Sequence, residues 1–217
     1  MTTKVTNKNE VYNTRDLQNV FAQCEMTRNY KLMTGLLADT GMGKTTSLRA
    51  YASQDNVFLV TLDKTMNAKR FFLKMGNVLN IGFDGNIHDL MLKIADKLNA
   101  LESPLLIIDE AGKINHVMML YLHDLREYTK ENCGILLAGM PYFKKNLQHF
   151  SDRQKEGCSE FFRRINVWNE LKGLTRKETE YICQQNGIDS VFKAYYGLRF
   201  GDLMNKILLE KIENNKL

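Results

Sequence analysis

Ala38-Asp39-Thr40-Gly41-Met42-Gly43-Lys44-Thr45 is the run whose reading decides the fold. It matches the phosphate-binding spacing G-x-x-x-x-G-K-[ST], with Ala38 in place of the leading glycine, and follows the apolar stretch Leu32 to Leu37. Strand, loop and helix in that order are what the pattern needs. Gly41 and Gly43 let backbone N–H groups turn inward around phosphate oxygens, while the next helix presents its positive N-terminus. Lys44 is then the cation for the β- and γ-phosphate oxygens. The Thr45 hydroxyl is a ligand for Mg²⁺, a hard cation that keeps several of its waters. A glycine turn that merely joined strand to helix would give Lys and Thr no reason to stand at this spacing.

Further along, Leu105-Leu106-Ile107-Ile108 ends abruptly in Asp109-Glu110. An apolar run of this kind suits a buried parallel strand whose C-terminal end faces a ligand crevice. Asp109 is placed to hold the Mg²⁺ water shell, and Glu110, one residue beyond, to orient or deprotonate the water that attacks the γ-phosphate. Alone, the pair could be a solvated strand end. After a phosphate-binding loop it implies ATP hydrolysis as well as binding.

The other segments fall into register with these two. Strand-like runs at 32–37, 57–62, 105–109, 135–138 and 165–168 alternate with helical patterns at 44–53, 68–79, 87–98 and 116–128. That alternation predicts an α/β fold, a P-loop parallel sheet flanked by helices on both faces. Thr14 or Asp16 is expected to cap a helix reaching about Met26, behind a flexible arm at residues 1–13. The core then spans 14–172. From 173 to 217 the pattern is purely helical, with candidate helices at 176–185, 190–196 and 202–213 forming a small lid.

Composition bounds the class. The 217 residues, 44% of them hydrophobic, suffice for one nucleotide-binding unit and a small appendage. No apolar run is long enough to cross a bilayer, and Met1 to Glu10 lacks a signal-peptide core, so a soluble, cytoplasmic chain without a membrane partner is expected. Cys24, Cys133, Cys158 and Cys183 form no C-x-x-C pair, nor a zinc pattern with the histidines, and read as structural thiols. Net charge is +5 with pI near 8.9. Basic residues gather at Lys64, Lys69, Arg70 and Lys74 and again from Lys144 to Arg164, which the plain reading assigns to solvated helix faces. Tyr30, Phe71, Phe72, Tyr142, Phe143 and Tyr195 could stack on bases, but their spacing is more typical of a core.

Leu105 to Met140, with Ile107-Ile-Asp-Glu-Ala111, a helix through Leu125-Arg126 and Ile135-Leu-Leu-Ala-Gly-Met-Pro141, resembles the AAA+ ATPases of transposition systems, the Mu B, TniB and TnsC type. The likeness continues through Phe161-Phe-Arg-Arg-Ile165, Leu171 to Glu178 and Gly201-Asp-Leu203, and covers nearly everything from about Thr14 onward. It implies an ATPase that assembles with itself on duplex DNA, as a ring or a helical filament, activates a DDE transposase, and is released on hydrolysis stimulated by DNA and self-assembly.

Carried over by motif, Thr40, Gly41, Met42, Gly43, Lys44, Thr45 and Thr46 bind the phosphates, Thr45 and Asp109 hold Mg²⁺ through water, and Glu110 positions the attacking water. Arg163 or Arg164 is the arginine finger reaching a neighbouring subunit's γ-phosphate, unless the pair simply faces solvent or acids. Lys64 and Thr65 contact DNA, supported by Lys69 and Arg70, with DNA contacts coming from the ATPase core. Two departures stand out. Ala138-Gly139 lacks the polar residue many relatives place beside the attacking water, and Met204 stands where the usual lid arginine would, so either Arg199 substitutes for it or γ-phosphate sensing by the lid is weak, with slow turnover to follow. Thr14 and Arg28 to Lys31 are expected to border the adenine pocket. Two other classes stay open, a helicase-loader-type replication ATPase and a nucleotide-gated assembly switch with negligible turnover.

Overall fold

The central strands are buried along their whole length, and successive side chains alternate between two apolar faces that each collect their own helices. The computed structural model describes residues 11–82, 85–189 and 191–214. Strands β1 (Met33–Leu37), β2 (Val57–Thr61), β3 (Leu105–Asp109), β4 (Gly134–Gly139) and β5 (Ile165–Glu170) form one sheet in the order β2-β3-β4-β1-β5. Every pairing is parallel. The α/β parallel sheet expected from sequence is therefore the fold.

Leu105 and Ile107 of β3 face one side with Leu36, Leu136 and Ala138. There α1 (Arg15–Asn29) supplies Val20 and Cys24, and α2 (Lys44–Tyr51) supplies Leu48 and Tyr51. Leu106 and Ile108 face the other side with Leu37, Val60, Ile135 and Leu137. This face is covered by α3 (Ala68–Val78), α4 (Ile87–Asn99), α5 (His116–Thr129), α6 (Pro141–Asp152) and α7 (Cys158–Arg164). The period of two along each strand makes both faces apolar, as a sheet buried on both sides requires.

Caps define where the helices begin. Thr14 accepts from Leu17 N at 3.2 Å, and Asn67, Asn86 and Asn115 do the same for α3, α4 and α5. Asp16 has another task. Its carboxylate accepts the Lys172 and Gly173 N–H groups at 3.1 and 2.7 Å, tying the head of α1 to the segment that enters α8 (Arg176–Gln185). Thr175 and Glu178 close a capping box there, and Glu178 also accepts from Arg15 N.

The helical C-terminal part differs in detail from the sequence expectation. α8 and α9 (Phe200–Asn214) enclose a third apolar cluster of Ile182, Cys183, Tyr195, Leu203 and Ile207. Between them lies a 3-10 turn at Phe192–Tyr195 where a helix from 190 to 196 is expected. Val191 at φ 61 and Gly197 at φ 78 interrupt the helical backbone on either side. Tyr12, assigned by sequence to the flexible arm, is buried in this cluster. Residues 1–10 of that arm lie outside the described residues. α6 and α7 are not among the expected helices.

Of the aromatics, Phe71, Phe72, Phe143 and Tyr195 are core, whereas Tyr30 and Tyr142 are exposed. All four cysteines are free and buried, and burial pushes the Cys24 and Cys133 thiols up to about 12, which keeps them protonated and unreactive. No helix among the described residues is long and apolar enough to cross a membrane.

Trp168, the one tryptophan, packs closely against Gly35 of β1 and contacts the rings of Phe143 and Phe162. A Cβ at position 35 would stand 2.2 Å from its ring. Gly35→Ala is expected to cost about 1–3 kcal/mol of stability through overpacking. The check is a lowered urea midpoint with unchanged slope. An unchanged midpoint would mean that the ring retreats freely.

Candidate nucleotide site

The loop from Asp39 to Gly43 leaves the C-terminal end of β1, and Gly41 and Gly43 take φ values of 80° and 84°, a region that costs a side chain dearly. Gly43 is also the N-cap of α2 and brings no side-chain cap. The first-turn N–H groups of α2 have no intrahelical acceptor and face the space enclosed by Ala38 to Thr46, Glu110, Met140, Phe200 and Gly201. That space is an anion cradle in its chemistry.

Three expected residues converge below it. Lys44 Nζ lies 2.8 Å from Asp109 Oδ1, and the Thr45 hydroxyl donates to Asp109 Oδ2 at 2.7 Å. Asp109 is fully buried and its Oδ1 also accepts Glu110 N at 2.8 Å. A hydroxyl and a carboxylate side by side are hard oxygen donors suited to Mg²⁺. Glu110 adopts the left-handed conformation at φ 60 and ψ 36, an uncommon state for a side-chain-bearing residue that recurs at functional sites. Its carboxylate lies 3.7 Å from Lys44 Nζ and 3.4 Å from Lys113 Nζ.

The polar residue missing at the end of β4 has a steric counterpart. A Cβ at Gly139 would meet Gly112 N at 3.3 Å, and one at Gly112 would meet the Tyr142 hydroxyl at 2.6 Å. The turn after Glu110 thus packs directly on the strand end, where a side chain would be tightly hemmed in. Met140 follows instead, its sulfur accepting from Thr40 Oγ1 at 3.7 Å.

The start of α9 closes the loop from above. Gly201 N donates to the Gly41 carbonyl at 2.7 Å, and Arg199 donates to the Thr40 carbonyl at 3.2 Å while facing Asp39 at 3.8 Å. Phe200 packs on Gly43. The segment entering α9 therefore holds two outward carbonyls of the loop, which turns the same peptides' N–H groups toward the cradle. Sequence singled out Arg199 and the Gly201-Asp-Leu203 motif but not Phe200, nor the contact of Gly201 with Gly41.

An apolar pocket adjoins the loop, lined by Tyr12, Thr14, Leu17, Met42, Leu174 and Phe200 among others. Thr14 lines this pocket, whereas Arg28 to Lys31 do not. Arg28 sits at the opposite end of α1, donating to the Ser103 and Asp55 carbonyls. Fifteen residues at 1.5 Å each separate the two ends by about 22 Å.

The remaining candidates lie on the surface. Lys64, Thr65, Lys69 and Arg70 are exposed around the turn between β2 and α3, where Thr65 N and Oγ1 both donate to Asp63 Oδ1. That hydrogen bonding lowers the Asp63 pKa, a smaller desolvation effect opposes the shift, and the charges of Lys74 and Lys113 add to it. On α7, Arg164 pairs with Glu127 at 2.6 Å. Desolvation would raise the Glu127 pKa, but the Lys130 hydrogen bond and the Arg164 charge hold it below the ordinary value. Arg163 is exposed and makes no ion pair or hydrogen bond among the described residues. Elsewhere in the second basic stretch, Lys144 lies over Trp168 and Lys155 over Phe150.

The AAA domain family profile matches residues 27–147, from the end of α1 into α6. The chain is similar in fold to the ORC2 protein of Aeropyrum pernix, seen in ADPNP-ADP complexes, at 14% identity and a TM-score of 0.62, over 82% of this chain and 54% of that one. The ORC1 protein of the same organism, in complex with DNA, aligns at 10% identity and a TM-score of 0.58, over 83% and 51%. A signal transduction ATPase with numerous domains and a tetratricopeptide repeat sensor, from Pyrococcus horikoshii, gives 19% and 0.56, over 89% and 29%. The chain spans about half the length of the two ORC proteins. No curated protein matches it in sequence.

Proposed function

The chain belongs to the AAA domain family, and from that premise we propose that it is an ATPase that assembles on duplex DNA in its ATP state and presents that DNA to a DDE-type transposase. The observation that carries the ATPase reading is the convergence of Lys44 and Thr45 on buried Asp109, with Glu110 one residue on. On ATP binding, Lys44 exchanges the Asp109 carboxylate for β- and γ-phosphate oxygens. Thr45 and Asp109, the latter through water, would hold Mg²⁺, which supplies neutralisation of phosphate charge. Glu110 orients the attacking water and accepts its proton. The apolar pocket beside Met42 and Phe200 receives the base, with no side chain in it that identifies adenine.

DNA enters through the exposed Lys64, Thr65, Lys69 and Arg70, which offer phosphate contacts and no base readout. Self-association is head to tail, placing Arg163 against a neighbour's nucleotide, in a closed ring or a filament. The transposase partner rests on the sequence resemblance alone.

Binding to a labelled random duplex and to its single strand, with ATP, ADP or no nucleotide across a salt series, tests this reading. ATP-dependent duplex binding that weakens steeply with salt is the expected result. The double change Lys64→Ala with Lys69→Ala should weaken it on every sequence and flatten the salt slope by about 2. Unaltered binding by that variant would remove the turn as the contact. Preference for the single strand would favour a loader-type replication ATPase. No binding at all, with ATP affinity intact, would favour a protein-directed switch.

A further inference from the structure

The side chain of Lys113 lies between two parts of the molecule that the proposed function keeps separate. It belongs to the short 3-10 turn Ala111–Lys113 that follows Glu110. Its Nζ is 3.4 Å from Glu110 Oε2 and donates to the Leu62 carbonyl at 3.3 Å. Leu62 in turn donates its N–H to the Asp109 carbonyl at 3.0 Å. It is the last residue before Asp63-Lys64-Thr65, the turn assigned to DNA. Lys113 is also close enough to Asp63 to lower its pKa, after the larger effect of the Thr65 hydrogen bonds.

We infer that Lys113 is a positioning residue that restrains the Glu110 carboxylate and releases it when the 62–65 segment is engaged; the second half of this inference rests on the DNA reading above. Two cations face Glu110, Lys44 at 3.7 Å and Lys113 at 3.4 Å. Nucleotide removes the first, because the phosphates draw Lys44 away. Lys113 then remains as the cation competing with a water for the carboxylate oxygens. It is kept in reach of Glu110 by the Leu62 carbonyl, a backbone group whose position follows the turn beyond it. A polyanion that pulls Lys64 and Thr65 outward draws the Leu62 carbonyl with them, and Lys113 follows its acceptor away from Glu110. The left-handed backbone at Glu110 provides a second reason for the carboxylate to need outside support in its present position.

The test is steady-state ATP hydrolysis by wild type, Lys113→Met and Lys113→Arg, with and without duplex DNA, over a range of ATP concentrations. Lys113 is about one-third exposed, so Met is accommodated, and Trp168 fluorescence verifies the fold of each variant. Without DNA, Lys113→Met is expected to raise kcat about two- to fivefold, the range of one partly exposed ion pair, with KM unchanged. Lys113→Arg, which keeps the charge and the donors, should return kcat to the wild-type value. Duplex should stimulate wild type and add nothing to Lys113→Met. An unchanged or lowered kcat in Lys113→Met without DNA overturns the restraint. Full stimulation of Lys113→Met by duplex overturns the coupling. A wild type that hydrolyses ATP but ignores duplex removes the DNA reading, and the comparison without DNA alone then decides the restraint.

Discussion

Glu110→Gln is expected to lower ATP turnover by about 10²–10⁴-fold, the usual worth of a positioned general base, while ATP binds as well as before or better. The amide matches the carboxylate in size, so neither the loop nor the 2.8 Å bond from residue 110's N–H to Asp109 needs to change. What disappears is the acceptor for the water's proton and one negative charge near the phosphates. Phosphate release at saturating ATP, paired with equilibrium binding of a fluorescent ATP analogue, separates the two effects. Equal turnover in both proteins would remove Glu110 from the chemistry, and equal, near-zero rates with and without DNA would support an assembly switch that does not depend on hydrolysis.

Arg163→Ala is the second large effect, an expected loss of about 10³–10⁵ in assembly-dependent turnover, the range for an arginine supplied across an interface. Arg164→Ala should do far less to the chemistry. The two neighbours differ in what already occupies them: Arg164 is held by Glu127 at 2.6 Å, whereas Arg163 projects from the end of α7 without a partner among the described residues. A guanidinium free to reach outward is the one available to a neighbour's phosphate. Mixing provides a test specific to action in trans. Arg163→Ala keeps its own Glu110, and Glu110→Gln keeps its own Arg163, so a mixed assembly recovers sites that neither variant forms alone. No recovery on mixing, or full activity of Arg163→Ala in the assembled state, would sink the assignment.

Much of this was legible before any coordinates because two local patterns carry it. Lys44-Thr45 after two glycines, and two carboxylates closing a run of β-branched and leucine residues, are short-range signals, and they fix the central strands and the cradle together. The helices α6 and α7 were harder to read. α7 has only seven residues, and α6 carries polar residues at many of its positions with Phe143 and Leu147 as its buried contacts, so neither shows the longer apolar repeat that marks α3 and α4. Arg28 was misplaced for a geometric reason, since nearness in sequence to the phosphate loop says nothing about which end of a 15-residue helix faces it. The contacts of Lys113 with Leu62 and of Gly201 with Gly41 are not legible in the sequence, because such pairings across the fold leave no spacing to recognise.

The grip of the lid on the phosphate loop has a consequence for how nucleotide states are told apart. A ligand shifts a two-state equilibrium only by the difference in its affinity for the two states. Gly201 and Arg199 bind carbonyls of Gly41 and Thr40, groups that belong to the protein and are the same whether three phosphates or two lie beneath them. Those two bonds therefore carry no preference of their own for one nucleotide over the other. In the proposed mechanism, discrimination between triphosphate and diphosphate falls to Lys44 at the terminal phosphate, to Glu110 at the water that attacks it, and to Arg163 of the next subunit.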